Sequence, residues 1–502
     1  MASHQEPASD GFLWQAFLIF AASAFAPLQV WVNNPESPAF LTSAAVILLL
    51  TALGLCVRAV LARLGANRQG ITYSIAVFLV FVFNTGKIVD SVLGGRWTLL
   101  VLALVAAGMA YRLREMGIFK GLVAWGALLV LIFPAVSYFT RGDPGVATVE
   151  ANLELSVPFL ESRHDVVVIV LDGYASEEVL REFHHFDNTE FDAELEALGF
   201  GVGQDVNSNF PLTALSVANT LNLAYLVDEQ HLSRADIEVL YEMLGGDNTL
   251  ARLLDENGYS QTYVESGWLG TRCRSLVDLC VAGPWPDETV YDIALRSLLI
   301  GLSGLEEGRS FGRGALRNIH WLESDLGQYL SNNVSDYVYV HVLAPHPPFF
   351  LSSSCESVPT AEMSGFTTGG PTYNQEQIES RSEGYQGQVI CLNQVLRSVA
   401  WKAIANDAIL VMFGDHGSDL GGQLGLEGSE WTDAHVRERF GVFFAGYGPG
   451  CDFEDVGSLV NVSRRIVSCL SGEELADLPT RGFLPSKSWD LTEIDLSLAY
   501  GG

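Results

Sequence analysis

The hydrophobic pattern of the chain changes character near residue 140. Before it, apolar residues run together with little amphipathic spacing: Phe12 to Val32, Ala39 to Val57, Ile71 to Gly86, Trp97 to Tyr111 and Leu122 to Phe139. About 20 apolar residues cross a bilayer, and somewhat shorter runs suffice with local adjustment. Five runs in succession read as a polytopic helical membrane domain over residues 1–140. Buried helices of a soluble core and a cleaved leader are the competing readings. The first run lacks a basic flank and more runs follow it, which argues against a leader. The stretch RGDPGVATVEANLE reads as the start of a linker, 141–160, and residues 161–502 as a second domain.

In that second domain strand-like and helix-like segments alternate. Asp165 to Leu171 (DVVVIVL) is a β-branched run of the kind buried on both faces of a parallel sheet. Further strands are predicted at Ser260 to Val264, Tyr337 to Leu343, Ala408 to Phe413 and Gly441 to Ala445. Helices are predicted at Ser176 to Phe183, Asp192 to Leu198, Asn248 to Asn257, Ala315 to Leu330 and Glu383 to Ala405. This is an α/β pattern with a mostly parallel central sheet.

Basic residues orient the first domain. The turn after the second run carries Arg58, Arg63 and Arg68, and the turn after the fourth carries Arg112, Arg114 and Lys120, whereas the turn after the first has none. Both basic turns are expected in the cytoplasm. An odd number of crossings then places everything after Phe139 outside it. Of seven cysteines, Cys56 lies in the second run; Cys273, Cys280, Cys355, Cys391, Cys451 and Cys469 form an even set in a compartment that permits disulfides. Sequence proximity favours Cys273 with Cys280 and Cys451 with Cys469, among fifteen possible pairings and the alternative of free thiols. The formal charge of −31 argues against nucleic acid as a partner, because phosphate backbones demand Lys and Arg.

Three predicted strands end in chemically capable residues: Asp172 after VVVIVL, His346 in HVLAPHPPF, and Asp415 with His416 after AILVMFG. Ligands of open α/β sheets bind beyond the carboxyl ends of the strands, so these side chains are expected in one crevice. Two carboxylates and an imidazole suit a divalent ion such as Mn²⁺, Zn²⁺ or Mg²⁺. Taken singly, each has a plainer explanation: Asp172 as a helix cap or Asx turn, His346 as packing in a proline-rich turn, Asp415-His416-Gly417 as an ordinary turn.

Together these motifs carry a resemblance. LDGY, the threonine of SNFPLTALSVANTLNLAYL, HVLAPHPPF, GDHG and TDAHVRERFGVFFA, in this order, resemble the alkaline phosphatase and sulfatase superfamily. Within it the chain is similar to the membrane-bound sulfatase-like proteins grouped with lipoteichoic acid synthases and phosphoethanolamine transferases, which place five spans before an extracytoplasmic catalytic domain. The resemblance implies an alkaline phosphatase-like α/β fold. It implies one divalent ion, Mn or Zn rather than Mg, held by Asp172, Thr213, Asp415 and His416, with Thr213 also the nucleophile. It implies His346, Arg272 and Trp268 at the substrate. The chain departs from the pattern in having Asp172 where lipoteichoic acid synthases have Glu, and in lacking a pocket histidine near Glu265 and Ser266.

A hydroxyl is a poor nucleophile until a metal or base activates it, which is the chemical reason for a threonine at a metal site. The plainer reading of Thr213 is the N-cap of the helix-like ALSVANTLNLAYL, where the helix amides would also favour an anion. No C/S-x-P-x-R motif occurs, which disfavours formylglycine-dependent sulfatase chemistry. A dinuclear site needs further ligands; His435 is a candidate but reads as part of a surface turn or helix. The expectation is a multi-pass membrane enzyme that transfers a phospho-substituted group from a phospholipid head group or another cell-envelope lipid or glycan ester, with His346 assisting proton transfer or binding phosphate. A phosphodiesterase, phosphatase or sulfatase-like hydrolase is the alternative within the superfamily, and an inactive envelope-assembly module the alternative outside enzymes.

Overall fold

The computed structural model describes residues 8–33, 37–84, 96–140, 148–149, 160–228, 230–266, 271–282, 307–330, 334–358 and 373–499. The chain divides into two compact units, whose described residues fall within 8–140 and at 307 in the first and within 148–282 and 308–499 in the second.

The first unit is helical: α1 (Ala8–Asn33), α2 (Ser37–Arg63), α3 (Arg68–Asn84), α4 (Arg96–Leu113) and α5 (Gly117–Thr140). Each expected run falls within or across one of these helices. Among the described residues one stretch, Ser43–Arg63 of α2, is by itself long and apolar enough to cross a membrane. Phe12–Ala24, Val101–Leu113 and Gly117–Leu129 are apolar but shorter, so five full-length spans are not seen. Large apolar side chains nonetheless face outward, among them Leu48, Leu49 and Leu53 of α2 and Leu122, Trp125 and Leu129 of α5. The sequence reading also needs correction at Arg58. It lies inside α2 rather than in the following turn, and its buried guanidinium donates to Gln15 Oε1 and Thr72 Oγ1. A charge inside an apolar helix is retained where neighbouring helices supply polar partners.

The second unit is built on a seven-stranded sheet. Its strands are β1 (Val166–Leu171), β2 (Gly201–Val202), β3 (Ser260–Val264), β4 (Leu279–Val281), β5 (Asp336–Val342), β6 (Ile409–Gly414) and β7 (Phe444–Tyr447), in the order β2-β7-β6-β1-β5-β3-β4. The pairings around β1, β3 and β5 are parallel, while β7 runs antiparallel to β6 and β2. Period-two geometry explains the β-branched runs. Val166, Val168, Val170, Tyr337, Tyr339, Ile409, Val411 and Phe413 pack into one core. Val167, Ile169, Leu171, Val338, Val340, Val342, Leu410 and Met412 pack into a second. The odd and even residues of each central strand thus fill opposite sides of the sheet.

The helices that matter for the site are α6 (Glu177–His184), α7 (Thr189–Ala197), α8 (Thr213–Leu221), α9 (Arg234–Leu244), α10 (Thr249–Glu256), α11 (Glu307–Ser324), α12 (Gln375–Ala405), α13 (Asp433–Phe440) and α14 (Val462–Ser471). The last strand of the sheet begins three residues later than Gly441. Val442 instead bridges Ala175 and Gly441 bridges Asn207, drawing this segment across the end of the sheet before it enters the ladder. A hairpin of β8 (Gly482–Pro485) and β9 (Leu491–Ile494) follows. The six expected cysteines form three disulfides: Cys273–Cys280, Cys451–Cys469 and Cys355–Cys391, the last of which proximity did not single out. Cys56 is free and exposed.

Candidate active site

Register brings the acidic pair together. Leu171 lies opposite both Val342 and Gly414, so β1, β5 and β6 end level and their next residues leave the sheet side by side. Asp172 and Asp415, 5% and 0% exposed, sit at these ends. The turn after β1 is held by several bonds. Gly173, at φ +77°, donates its N–H to Asp415 Oδ1 at 2.8 Å. The Tyr385 hydroxyl of α12 donates to Gly173 O and accepts from Ala175 N–H. The β6 end must be a glycine for a different reason: a Cβ on Gly414 would lie 2.0 Å from Tyr174 O.

His416 completes the cluster. Its Nδ1–H donates to Gly417 O at 3.0 Å, which fixes the tautomer and leaves the Nε2 lone pair toward the acids. Nε2 lies 3.5 Å from Asp172 Oδ1, 3.4 Å from Asp415 Oδ2 and 3.2 Å from Thr213 Oγ1. Thr213 is the first residue of α8. Leu212, not Thr213, is the N-cap, and it offers no side-chain cap. The threonine hydroxyl is turned to His416 instead. The turn beyond His416 is anchored by buried Glu438, which accepts from the Ser418 hydroxyl and from Leu420 N–H.

His346 lies between two cavities. One is lined by Asp172, Thr213 and His416 and walled by apolar and aromatic groups including Tyr241, Leu343 and Trp489. The other is lined by His184, Phe349, Tyr373, Arg381, Tyr385 and Asp419 among others. His346, Pro347, Leu424 and Arg439 border both. The His346 ring is 6.2 Å from that of His416, and its Nδ1–H donates to Pro347 O at 2.5 Å.

Electrostatics follow from burial. Removal from water raises the Asp172 carboxyl to about 7, opposed by the charge of Arg439. Burial and the neighbouring Asp172 raise Asp415 to about 7 as well. Burial, then Arg439, lowers His346 to about 4 and takes His416 well below the ordinary imidazole range. Near neutral pH both rings are therefore neutral, as a metal ligand or a proton acceptor must be. Asp172 Oδ1 and Asp415 Oδ2 are buried and accept no hydrogen bond within normal distance among the described residues. Such orphaned carboxylate oxygens beside a neutral imidazole and a hydroxyl fit a divalent cation.

Two residues here escaped the sequence reading. His341, fully buried near the end of β5, has Nε2 3.7 Å from Asp172 Oδ2, and its ring joins Asp172 and Asp415 in a group able to hold a metal ion. Burial and nearby His346 lower it to about 3. A histidine one residue before the end of an otherwise apolar strand was the available signal. Arg439, in RERF, is 2% exposed and borders both cavities. By contrast, half-buried Arg272 lines neither cavity, and Trp268 lies outside the described residues. His435 is in the first turn of α13, its Nδ1 accepting from Thr432 N–H in a capping box.

No protein-family model and no curated protein matches the chain. Solved structures similar to it include the C-terminal periplasmic domain of EcEptC from Escherichia coli, at 14% identity and TM-score 0.41 over 67% of this chain and 96% of that one. That domain is also known in complex with Zn. The integral membrane protein lipooligosaccharide phosphoethanolamine transferase A of Neisseria meningitidis is similar at 12% identity and TM-score 0.39, over 91% of this chain and 95% of that one. A protein of the alkaline phosphatase superfamily from Vibrio parahaemolyticus is similar at 11% identity and TM-score 0.40, over 69% and 78% of the two chains.

Proposed function

We propose that the chain is a multi-pass membrane enzyme whose second domain, outside the cytoplasm, transfers a phospho-substituted group from a lipid or cell-envelope ester through Thr213. One observation carries the reading: the Thr213 hydroxyl stands 3.2 Å from His416 Nε2, beside two buried carboxylates with orphaned oxygens. Asp172, Asp415, His416 and Thr213 would hold one divalent ion, manganese or zinc. A bound ion supplies positive charge that favours an ionised hydroxyl and the negative charge that develops on the transferring group. Thr213 Oγ1 then forms its bond to phosphorus as the bond to the leaving oxygen breaks. His346, neutral and held by Pro347 O, suits the role of proton acceptor for the alcohol or water that later releases the phosphothreonine.

The cavity walls support an organic substituent on the phosphate. Tyr241, Leu343 and Trp489 give the Thr213 cavity apolar and aromatic sides above a charged floor, the composition of a ligand site. Three disulfides in the second unit support an oxidising compartment. The test is incubation of the purified protein with head-group-labelled phospholipids, with and without added Mn²⁺. Metal-dependent release of diacylglycerol with label on an acceptor is expected, and free labelled head group would indicate hydrolysis. A stalled reaction should yield a phospho-substituent on the peptide bearing Thr213, and Thr213→Ala should lose turnover by several orders of magnitude. A fully active Thr213→Ala protein overturns the covalent reading.

A further inference from the structure

We propose that Trp489, on the C-terminal hairpin, and Tyr241 of α9 form the wall of the Thr213 cavity that receives the apolar, acylglycerol end of a phosphoester, and so select a lipid as substrate. The proposal rests on the phosphoryl-transfer reading and names the side chains that recognise what the phosphorus is attached to.

The hairpin belongs to the site although it lies near the far end of the sequence. Phe483 of β8 donates its N–H to Asn209 O at 3.0 Å, Asn209 Nδ2 donates to Arg481 O at 2.7 Å, and the Phe483 and Phe210 rings stack at 5.2 Å. Asn209 and Phe210 belong to the SNFPLT segment that leads into Thr213, so β8 is built against the chain that presents the hydroxyl. The turn to β9 is tied down on its other side. Trp489 O accepts from Leu232 N–H at 2.9 Å, and Leu491 N–H donates to Gln230 O at 2.9 Å, in the segment just ahead of α9. Trp489 N–H donates back to Ser486 O at 3.0 Å, which closes the turn. Held between the two segments, Trp489 takes φ +65°, a left-handed conformation that a bulky residue adopts where its surroundings enforce it.

What the wall is made of decides the class of ligand. The Trp489 indole is 37% exposed, and of the exposed large apolar side chains in the second unit it alone borders the Thr213 cavity among the described residues. Water-facing apolar surface on a concave site is stabilised when an apolar ligand group covers it. Tyr241, Leu212, Leu343 and Leu424 line the same cavity. Its charged or titratable lining groups are Asp172, His346, His416 and Arg439, grouped about the turns that carry Thr213 and His416. Asp172 is the sole carboxylate among them, and on the proposed reading the divalent ion takes it. A cationic head group on the Trp489 side would therefore meet ring faces without a carboxylate to complete the site. The methylenes of an acylglycerol need no polar partner, and burying them against Trp489, Tyr241 and the leucines is favourable by itself.

The test uses the full-length, manganese-loaded protein in detergent and calorimetry with inorganic phosphate, methylphosphonate, propylphosphonate, pentylphosphonate and aminoethylphosphonate. Wild type should bind pentylphosphonate about tenfold more tightly than methylphosphonate, because each added methylene leaves water for the wall. Trp489→Ala should cut that gain to about twofold and Trp489→Phe should keep most of it, while inorganic phosphate and manganese bind within about twofold of wild type in both. The last comparison separates a wall residue from one that merely braces the fold. An undiminished chain-length gain in folded Trp489→Ala overturns the proposal. So does tighter binding of aminoethylphosphonate than of propylphosphonate, its near-isostere, with that preference lost in Trp489→Ala, since the wall would then receive a cationic head group. Should the variants misfold, a crystal structure of wild type with pentylphosphonate decides: alkyl carbons against the indole support the proposal, and a chain directed elsewhere overturns it. Metal-loaded wild type that binds neither phosphate nor any phosphonate would sink the phosphoryl reading itself, an outcome distinct from binding without chain-length selectivity, which sinks the wall alone.

Discussion

Asp415 shows how a single side chain sets the charge state of the site. Its Oδ1 accepts from Gly173 N–H and His416 N–H, while Oδ2 faces His416 Nε2. Without a cation, burial and Asp172 push the carboxyl up to about 7. A carboxyl whose folded pKa exceeds its unfolded value near 4 contributes stability that is full below the unfolded pKa and lost as pH rises through the folded one. The chelated protein should therefore lose thermal stability between pH 4 and about 7, and the manganese-loaded protein should not, since metal binding requires the ionised pair. Superimposable melting profiles with and without metal would remove the site. Asp415→Asn should keep the fold, abolish tight metal retention and flatten the chelated profile. At this scale the convergence of Asp172, Asp415, His416 and His346 was legible because strand ends in a parallel sheet converge whatever lies between them in sequence, whereas Thr213, at the start of a helix, was expected beside them only from the family resemblance. His341 was not, since alternation puts it on the side of Tyr337 and Tyr339 without showing that the acidic pair lies against that side. Arg439 was not either: in DAHVRERF, Arg437 pairs on the surface with Glu182 while Glu438 and Arg439 turn inward, a division that only packing of the short helix decides.

Elements, rather than single residues, determine how tightly the site is held. Gly414 ends β6 where the backbone of Tyr174 crosses it, with the Cβ position 2.0 Å from Tyr174 O. Gly414→Ala forces the strand end and the Asp172 turn apart and should cost about 1–3 kcal/mol of stability. The same shift should weaken metal binding at least tenfold, although no ligand is changed. Denaturant unfolding and metal titration of this variant check both, and wild-type values for the pair would show that the two turns move independently. The central strands β1, β3, β5 and β6 were readable to within a residue: β1 and β6 are apolar runs buried on both faces, while β3 (SQTYV) and β5 (DYVYVHV) are rich in β-branched and aromatic residues. The start of β7 was not, since Gly441 to Phe443 is equally apolar but crosses the sheet end, bridging Ala175 and Asn207. Nor was Cys355–Cys391 legible: it ties the segment after Phe350 to α12, a contact between parts 36 residues apart. Thr213 at N1 instead of the N-cap belongs here too. Its replacement by alanine should cost less than the roughly 1 kcal/mol of a lost cap.

Across the whole molecule the question is where an acidic protein sits if, as proposed, its second unit acts on a lipid-side substrate. The net charge of −31 repels anionic lipid head groups, so a local cation and proximity to the bilayer must offset that field. On the proposed reading the helices of the first unit would provide the proximity, and their exposed leucines and Trp125 suit a lipid environment. Arg63 and Arg68 flank the turn after α2, and Arg112, Arg114 and Lys120 the turn after α4, both expected in the cytoplasm. Removal of Arg58 from the loop count leaves that bias intact. The orientation is tested with one introduced thiol at a time. Cys56 is exposed and free, so it is first replaced by serine; the six remaining cysteines are paired. A cysteine at exposed Glu190 in α7 should then react with a membrane-impermeant maleimide added to intact cells, and one at Ala66 should react only after permeabilisation. Equal labelling of both in intact cells would disqualify the assay through leakage, and a permeabilised control detects it. Labelling at Ala66 with protection at Glu190 would put the second unit in the cytoplasm. The three disulfides, the outer substrate and the transferase reading would then fall together, because a reducing compartment does not sustain such bonds and an inward-facing site cannot reach an outer ester.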